Sequence, residues 1–250
     1  MNRRNALKAF AGLALCPLCQ PVFAAEGARW GYEGAAGPAK WGDLDAASKV
    51  CAIGLQQSPI DIVAPIKSQL PPIKLSWAKS ADTIVNNGHT IQLNFAEGST
   101  LALGDKKFKL LQVHFHRPSE HMIAGRSYPM EAHFVHRADS GALAVVGVLM
   151  STGKPNAAFA RVAATMPAKE GPPMKADAGF NPNNMLPKKL GYYRYSGSLT
   201  TPPCAETVEW LLLTNPITVA ETDVAAFAKL YPLNARPVQR ENRRYVLVSG

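Results

Sequence analysis

The chain has 250 residues, of which 47% are hydrophobic and 18% are charged, and its net charge at pH 7 is +9. This length suits one domain or at most two small ones, and the hydrophobic content excludes an intrinsically disordered chain. The basic residues are scattered and no aromatic residues alternate with them, which argues against a nucleic-acid-binding protein.

The first 25 residues are predicted to be a cleavable signal peptide. Positive charges at Arg3 and Arg4 precede a short apolar run over residues 9–18, and small residues suitable for cleavage follow at 22–25. The paired arginines also fit a twin-arginine signal, so ordinary secretion and twin-arginine export both stay open. We therefore expect one mature domain over residues 26–250 that is periplasmic or secreted, with no stable membrane insertion.

The chain contains four cysteines. Cys16 and Cys19 lie inside the predicted signal peptide and would be removed with it. Cys51 and Cys204 remain, and two cysteines in an oxidising compartment usually pair. We expect a disulfide between them, with two buried free thiols as the alternative.

The mature region begins with a glycine-rich, irregular arm over residues 30–38. We expect this arm to lie across the body of the protein, held there by Trp30, Tyr32 and Trp41. A short helix is predicted to follow over residues 44–49.

Short segments that alternate apolar and polar residues predict a series of β-strands. Turn signals at residues 86–88 and 103–106 predict two β-hairpins. The predicted strands span residues 90–95, 100–103, 108–116, 130–137, 143–150, 192–195 and 207–214.

Two helices and a long loop are predicted among the later strands. The helices span residues 155–164 and 220–229, the second with Thr218 as its N-cap. A loop rich in proline and asparagine is predicted over residues 171–187. We infer a mainly β (α+β) fold, with one domain built around an extended, mostly antiparallel sheet and a few peripheral short helices.

Three histidines, His114, His116 and His133, form the most informative pattern in the chain. His114 and His116 share one face of a predicted strand because side chains alternate faces with a period of two. His133 lies on the next predicted strand, so the three imidazoles can converge on one point. Three protein ligands with an open fourth position are typical of catalytic zinc, whereas structural zinc is normally enclosed by four ligands. His121 and His136 do not fit this face, and we leave both out of the site.

Two polar residues are predicted to support these histidines from outside the site. Gln112 precedes His114 by two positions, and Glu131 precedes His133 by two, so each shares a strand face with its histidine. A zinc-bound imidazole normally donates its second N–H to such an acceptor. A carboxylate on the inner face of a buried strand also requires a partner.

Further motifs surround the histidines. In chain order they are WGY at 30–32, QSPIDI at 57–62, NNGH at 86–89, QVHFH at 112–116, SEH at 119–121, EAHFVH at 131–136, LAVVG at 143–147, GSLTTPPC at 197–204 and NARPVQ at 234–239. With these motifs the chain resembles the α-class carbonic anhydrases, in particular their bacterial members. The resemblance covers nearly all of the mature region, from Trp30 to about Arg244.

The resemblance implies a fold, a reaction and a set of roles. The fold is a large twisted central sheet with a conical active-site cleft. The reaction is the zinc-dependent, reversible hydration of carbon dioxide to bicarbonate and a proton by attack of zinc-bound hydroxide, with one Zn²⁺ per chain. Thr200 matches the hydroxyl that donates its proton to Glu120 and orients the attacking oxygen. His89 matches the proton shuttle, and the pKa of histidine suits that role.

The resemblance also assigns residues around this chemistry. The apolar wall for carbon dioxide is formed by Val135, Val145 and Leu199, and the bicarbonate site is lined by Thr201. Asn234 joins Gln112 and Glu131 as an outer support of the histidines. The residues that would organise waters on the proton path are Tyr32, Asn87 and Gln92. Cys51 and Cys204 match the disulfide positions of exported bacterial members.

Two alternatives compete with this interpretation. The spacing of His114, His116 and Glu120 also fits the core of a cupin metal site, but Phe108 stands where a glycine is expected ahead of the first histidine. A non-catalytic, exported zinc-binding protein of the same fold is the second alternative, although such relatives typically lose a ligand histidine. The expected partner is carbon dioxide or bicarbonate, with no nucleic acid, and the sequence leaves a homodimer open.

Overall fold

The computed structural model describes residues 29–78 and 80–249. The predicted signal peptide over residues 1–25 lies outside these residues, together with Cys16 and Cys19. Within the described part of the chain, no helix is both long and apolar enough to cross a membrane.

Short strands carry most of the regular structure. The strands are β1 (Asp61–Ile62), β2 (Ile66–Ser68), β3 (Ile73–Ser76), β4 (Thr83–Asn86), β5 (Ile91–Asn94), β6 (Thr100–Leu103), β7 (Lys106–His116), β8 (Met122–Ile123), β9 (Met130–Arg137), β10 (Leu143–Thr152), β11 (Met174–Lys175), β12 (Tyr192–Gly197), β13 (Val208–Leu213), β14 (Ile217–Val219) and β15 (Leu247–Ser249). The α-helices are α1 (Val50–Ile53), α2 (Ala157–Thr165) and α3 (Glu221–Leu230), and 3₁₀ turns span Gly34–Ala36, Pro38–Asp43, Ala47–Lys49 and Pro182–Met185.

One large mixed sheet organises the molecule. Its main path runs β11-β4-β5-β7-β9-β10-β13-β12-β15-β2, while β6 pairs with β3 and β7, and β14 pairs with β10. The pairings β10–β13, β10–β14 and β15–β2 are parallel, and the others in this sheet are antiparallel. β1 and β8 form a separate parallel pair. The predicted mainly β fold around a mostly antiparallel central sheet is confirmed.

The two faces of the central strands bury different cores. One face, which includes Phe134, packs against α2 and α3. The opposite face carries Val135, Val145 and Trp210. Because both faces of β10 are covered, its sequence is an almost continuous apolar run rather than an alternating one. His133 precedes Phe134 in β9, and therefore points to the second face.

Both predicted hairpins form. Gly104 and Asp105 connect β6 to β7, and Gly104 adopts a positive φ of 56°. Residues 87–90 connect β4 to β5, and the Asn87 side chain accepts hydrogen bonds from the backbone N–H groups of His89 and Thr90. This second turn holds His89 at the end of the hairpin.

The N-terminal arm packs through its aromatic residues, as predicted. Trp41 is fully buried, and its indole N–H donates to the backbone oxygen of Gly31 at 2.9 Å. The ring centroids of Trp30 and Tyr32 lie 5.2 and 5.7 Å from that of Trp41, both in edge-on geometry.

Three local predictions differ in whole or in part from the structure. The helix expected over residues 44–49 instead forms as a 3₁₀ turn at Ala47–Lys49 that continues into α1. Thr218 is not an N-cap, because it lies in β14, whose pairing with β10 keeps its backbone extended; α3 begins after Ala220 with no side-chain cap. The loop expected over residues 171–187 contains β11, which pairs with β4. By contrast, α2 and α3 lie within two residues of their predicted bounds.

Candidate metal centre

Two neighbouring strands bring the three histidines together. β7 and β9 are antiparallel, and His114 lies directly opposite His133. The imidazole centroids of His114 and His116 are 4.9 Å apart. The centroid of His133 lies 5.2 Å from that of His114 and 4.5 Å from that of His116. One ring nitrogen of each histidine lies within 4.8 Å of the others. The predicted convergence therefore follows from the period of two along β7 and the pairing with β9.

Each histidine uses one ring nitrogen in a hydrogen bond on its outer side. His114 Nδ1 lies 2.8 Å from Gln112 Oε1, and His133 Nε2 lies 2.7 Å from Glu131 Oε1. His116 Nδ1 lies 2.7 Å from the backbone oxygen of Asn234. The second nitrogen of each ring is left for the shared centre.

The chemistry of this donor set fits a zinc ion. His116 Nε2 is buried and has no hydrogen-bond partner among the described residues. Burial lowers the pKa of His114 well below its usual value, lowers that of His116 to about 4, and also lowers that of His133. Three imidazoles that are neutral at physiological pH, each oriented by an outer acceptor, present lone pairs suited to Zn²⁺.

Glu131 connects the metal centre to its surroundings. Its Oε1 accepts hydrogen bonds from His133 and from His121 Nδ1, each at 2.7 Å. Its Oε2 accepts from the backbone N–H groups of Glu120 and His121, at 3.0 and 2.9 Å. Burial raises the pKa of Glu131, but the interactions with the His121 and His133 side chains outweigh it and hold the pKa well below its usual range. Glu131 is therefore an ionised, fully paired carboxylate.

Sequence reasoning missed the contact of His121 with this network. His121 lies outside the triad, as predicted, but its Nε2 is 2.7 Å from the Tyr195 hydroxyl. That hydroxyl donates in turn to Ser58 Oγ at 2.9 Å. His121, Glu131 and His133 also lie close enough to hold a metal ion, but their polar atoms are already engaged with one another. The motif around residues 119–121 was the sequence signal that could have indicated this role.

Glu120 lies beside His116 and His133, and both Glu120 and Thr200 are buried. Glu120 Oε1 accepts a hydrogen bond from the backbone N–H of Arg236 at 2.8 Å, and Glu120 Oε2 lies 3.8 Å from His133 Nδ1. Burial raises the pKa of Glu120 to about 7, against the opposing effects of His133, the Thr200 side chain and the Arg236 N–H. Glu120 Oε2 meets no partner of ordinary hydrogen-bonding geometry among the described residues, so the donation of the Thr200 hydroxyl to this carboxylate stays a prediction.

An apolar wall adjoins the centre. Val135 and Val145 are directly opposite each other in β9 and β10, and both are buried. Leu199 is partly buried and packs against the same cluster. Because Val135 is two residues from His133, it shares the face that carries the histidines.

An open cleft leads from the histidines to the surface. It has a volume of about 120 Å³, and its lining residues include Trp30, Tyr32, Asn87, His89, Gln92, Gln112, His114, His116 and Thr201. His89 is half-buried and stacks on Trp30, with 3.6 Å between ring centroids and an interplanar angle of 6°. Larger surface grooves of about 440 Å³ contain none of these residues.

The loop that carries Thr200 is tied down at both ends. At one end, the backbone N–H of Ser58 donates to Ser198 Oγ at 2.9 Å, and the backbone N–H of Ser198 donates to Ser58 Oγ at 3.1 Å. At the other end Cys204 forms a disulfide with Cys51, with 5.1 Å between the Cα atoms. The predicted pairing of these cysteines is present, and it fixes the chain four residues after Thr200.

His136 lies on the opposite side of the sheet from the three histidines. It is fully buried and stacks on Trp77, with 5.6 Å between ring centroids. Burial lowers its pKa to about 4, so it is a neutral core residue. This position, on the other side of the strand from His133, is the one that the strand parity predicts.

Comparisons with known proteins agree with this geometry. A family model described as eukaryotic-type carbonic anhydrase matches residues 36–250. The chain is 38% identical over 231 residues to a carbonic anhydrase of Pectobacterium carotovorum, covering 92% of this chain and 95% of that protein. It is 41% identical over 220 residues to a carbonic anhydrase of Neisseria gonorrhoeae, covering 87% of each.

Solved structures show the same similarity. The α-carbonic anhydrase of Thermovibrio ammonificans, in complex with the inhibitor sulfanilamide, has a TM-score of 0.86 and 42% identity, covering 88% of this chain and 99% of that one. The α-carbonic anhydrase of Photobacterium profundum has a TM-score of 0.83 and 40% identity, covering 88% of this chain and 100% of that one. These matches exclude the cupin alternative.

Proposed function

Because the chain belongs to the eukaryotic-type (α) carbonic anhydrase family, whose enzymes interconvert carbon dioxide and bicarbonate, we propose that its three-histidine centre binds one zinc ion and performs this reaction. The proposal rests on the convergence of three neutral imidazoles, one of which has a buried nitrogen without a hydrogen-bond partner among the described residues. His114 and His116 would bind through Nε2, and His133 through Nδ1. Zinc bound in this way lowers the pKa of a coordinated water into the neutral range, a property for which carbonic anhydrases are the standard example.

Thr200 and Glu120 would orient the attacking oxygen. The Thr200 hydroxyl has one proton and two lone pairs. If it donates that proton to the Glu120 carboxylate, it can only accept a hydrogen bond from the nucleophile, which turns a lone pair of the nucleophile toward carbon dioxide. The N–H of Arg236 holds Glu120 for this purpose. This contribution is positioning, and it requires Glu120 to be ionised.

The apolar wall would hold carbon dioxide. A small apolar molecule gains little from polar contacts, so Val135, Val145 and Leu199 offer a suitable surface next to the histidines. Thr201 lines the cleft and would contact bicarbonate.

His89 would carry the released proton to solvent. It stands in the cleft at the end of the β4–β5 hairpin, half-buried and open to buffer. Tyr32, Asn87 and Gln92 line the cleft with polar atoms that can hold intervening waters. Burial lowers the pKa of His89 below 6.5, and the charge of Glu170 opposes that effect. A proton-shuttle residue must gain and lose a proton near neutral pH. The opposing effects of burial and of Glu170 on the pKa of His89 therefore influence the rate of turnover.

Export of the protein is a further part of the proposal. The N-terminal sequence has the features of a signal peptide over residues 1–25. The disulfide between Cys51 and Cys204 supports an oxidising compartment, such as the periplasm or the extracellular space.

The proposal is tested by measuring zinc content and carbon dioxide hydration on the same purified samples. We expect about one zinc per chain, loss of activity on chelation, and recovery when zinc is restored. His133→Ala should lose both zinc and activity, whereas the control His89→Ala should keep its zinc. Normal hydration by zinc-free protein, or by His133→Ala, would overturn the assignment.

A further inference from the structure

Glu170 lies beside the hairpin that presents His89. A methyl group placed on Gly88 would lie 2.9 Å from Glu170 Oε2, so the carboxylate packs directly against this glycine. Gly88 has a φ of +83°, a conformation that favours glycine. The carboxylate therefore occupies space next to the residue that immediately precedes His89.

The segment that carries Glu170 is attached on both sides to the same hairpin. The Asn86 side-chain amide donates to the backbone oxygen of Pro167 at 3.0 Å. The backbone N–H of Gly171 donates to the backbone oxygen of Asn86 at 3.2 Å. Glu170 is exposed, but these two hydrogen bonds fix its backbone relative to His89. The fold therefore fixes the position of the Glu170 backbone beside the hairpin.

The other titratable groups around His89 are neutral at physiological pH. Tyr231 packs below the hairpin, and burial, assisted by Glu170, raises its pKa to about 12. Tyr32 faces the same cleft, and burial raises its pKa well above 10. His114 lies across the cleft, where burial lowers its pKa. Among residues 29–78 and 80–249, the carboxylate of Glu170 is the negative charge that acts on His89.

We propose that Glu170 is a positioning residue for proton release, in which its carboxylate stabilises the protonated imidazole of His89 at the mouth of the cleft. The proposal rests on the shuttle role of His89 proposed above. Partial burial disfavours the charged imidazole of His89. A carboxylate held beside the hairpin offsets that cost without blocking access to buffer. The proton then leaves His89 for a buffer base, and Glu170 itself need not take it up.

The test is an NMR titration of the His89 ring in the full mature protein. Glu170→Gln removes the charge and preserves the shape of the side chain. We expect the midpoint to fall by about half a pH unit at low ionic strength, and most of this difference to vanish at 1 M salt, where the screening length is about 3 Å. Glu170→Asp should retain most of the parent midpoint. The matched control Glu97→Gln removes an equal charge next to Lys109 and should leave the midpoint unchanged.

Kinetics supply a second measurement. A less basic His89 accepts a proton less readily, so Glu170→Gln should lower the kcat of hydration about twofold in weak buffer, with KM unchanged and with rescue by imidazole. An unchanged midpoint, or an equal fall in Glu97→Gln, would overturn the proposal. If His89→Ala retains the parent kcat in weak buffer, the shuttle assignment itself fails, and the NMR midpoint then reports an electrostatic contact without a role in turnover.

Discussion

Glu131→Gln should weaken zinc binding although Glu131 would not touch the metal. The carboxylate accepts four hydrogen bonds, two from imidazole nitrogens at Oε1 and two from backbone N–H groups at Oε2. Glutamine has the same shape but only one acceptor oxygen. Its NH₂ group must therefore face either the two imidazoles or the two backbone donors.

Both orientations are costly. If the NH₂ group faces the imidazoles, His133 must accept at Nε2, and its proton moves to Nδ1, the nitrogen proposed to bind zinc. If the NH₂ group faces the backbone, two buried N–H groups lose their acceptor. Replacing a hydrogen-bond partner of a zinc ligand typically lowers metal affinity by tenfold to a hundredfold. The expected loss is therefore about 1.4–2.8 kcal/mol of zinc-binding free energy.

The assay is competition for zinc between the protein and a chelator of known affinity. Glu209→Gln is the matched control, because Glu209 also accepts hydrogen bonds, from Arg194 at 2.8 and 3.2 Å, but not from a zinc-site histidine. Only Glu131→Gln should weaken zinc binding. A dissociation constant within threefold of the parent value, or an equal effect of Glu209→Gln, would refute the reasoning.

Three further outcomes are expected. Thr200→Ala should lower kcat/KM by about a hundredfold while zinc stays bound, since the change removes orientation rather than a ligand; unchanged hydration kinetics would reject the orienting role. His89→Ala should lower kcat about tenfold to a hundredfold in weak buffer, with KM preserved and with recovery on adding imidazole; no response to imidazole would argue against a shuttle. Replacing both Cys51 and Cys204 by serine should reduce the free energy of unfolding by up to about 5 kcal/mol in the chain-entropy view, because the bridge spans 153 residues; a denaturation midpoint equal to that of the parent would contradict this.

Local periodicity was sufficient to predict the centre of the sheet and the metal face. β7 and β9 alternate with a period of two, so the amino-acid sequence alone predicts that His114, His116 and His133 share a face. The same parity correctly separated His136 from His133. These predictions succeed because a strand side chain has only two directions, and the pairing of adjacent antiparallel strands is local.

Contacts between distant segments were harder to predict. His116 bonds to a backbone oxygen of Asn234, 118 residues away. The family resemblance placed Asn234 among the outer supports of the histidines, but the strand pattern alone could not, because a backbone acceptor leaves no mark on the side-chain sequence. The carboxylate of Glu131 serves His121 as well as His133, which parity along one strand could not reveal. Thr218 has the chemistry of an N-cap, but pairing with β10 keeps it in a strand. In each case tertiary pairing decided the outcome over local preference.

A crystal structure of the zinc-loaded protein, with anomalous data at the zinc edge, tests the three-histidine centre most directly. We predict one strong peak, about 2.0–2.1 Å from His114 Nε2, His116 Nε2 and His133 Nδ1, with no fourth protein ligand. A peak held instead by His121 and Glu131, or a site closed by a fourth side chain, would contradict an open catalytic zinc centre in this protein.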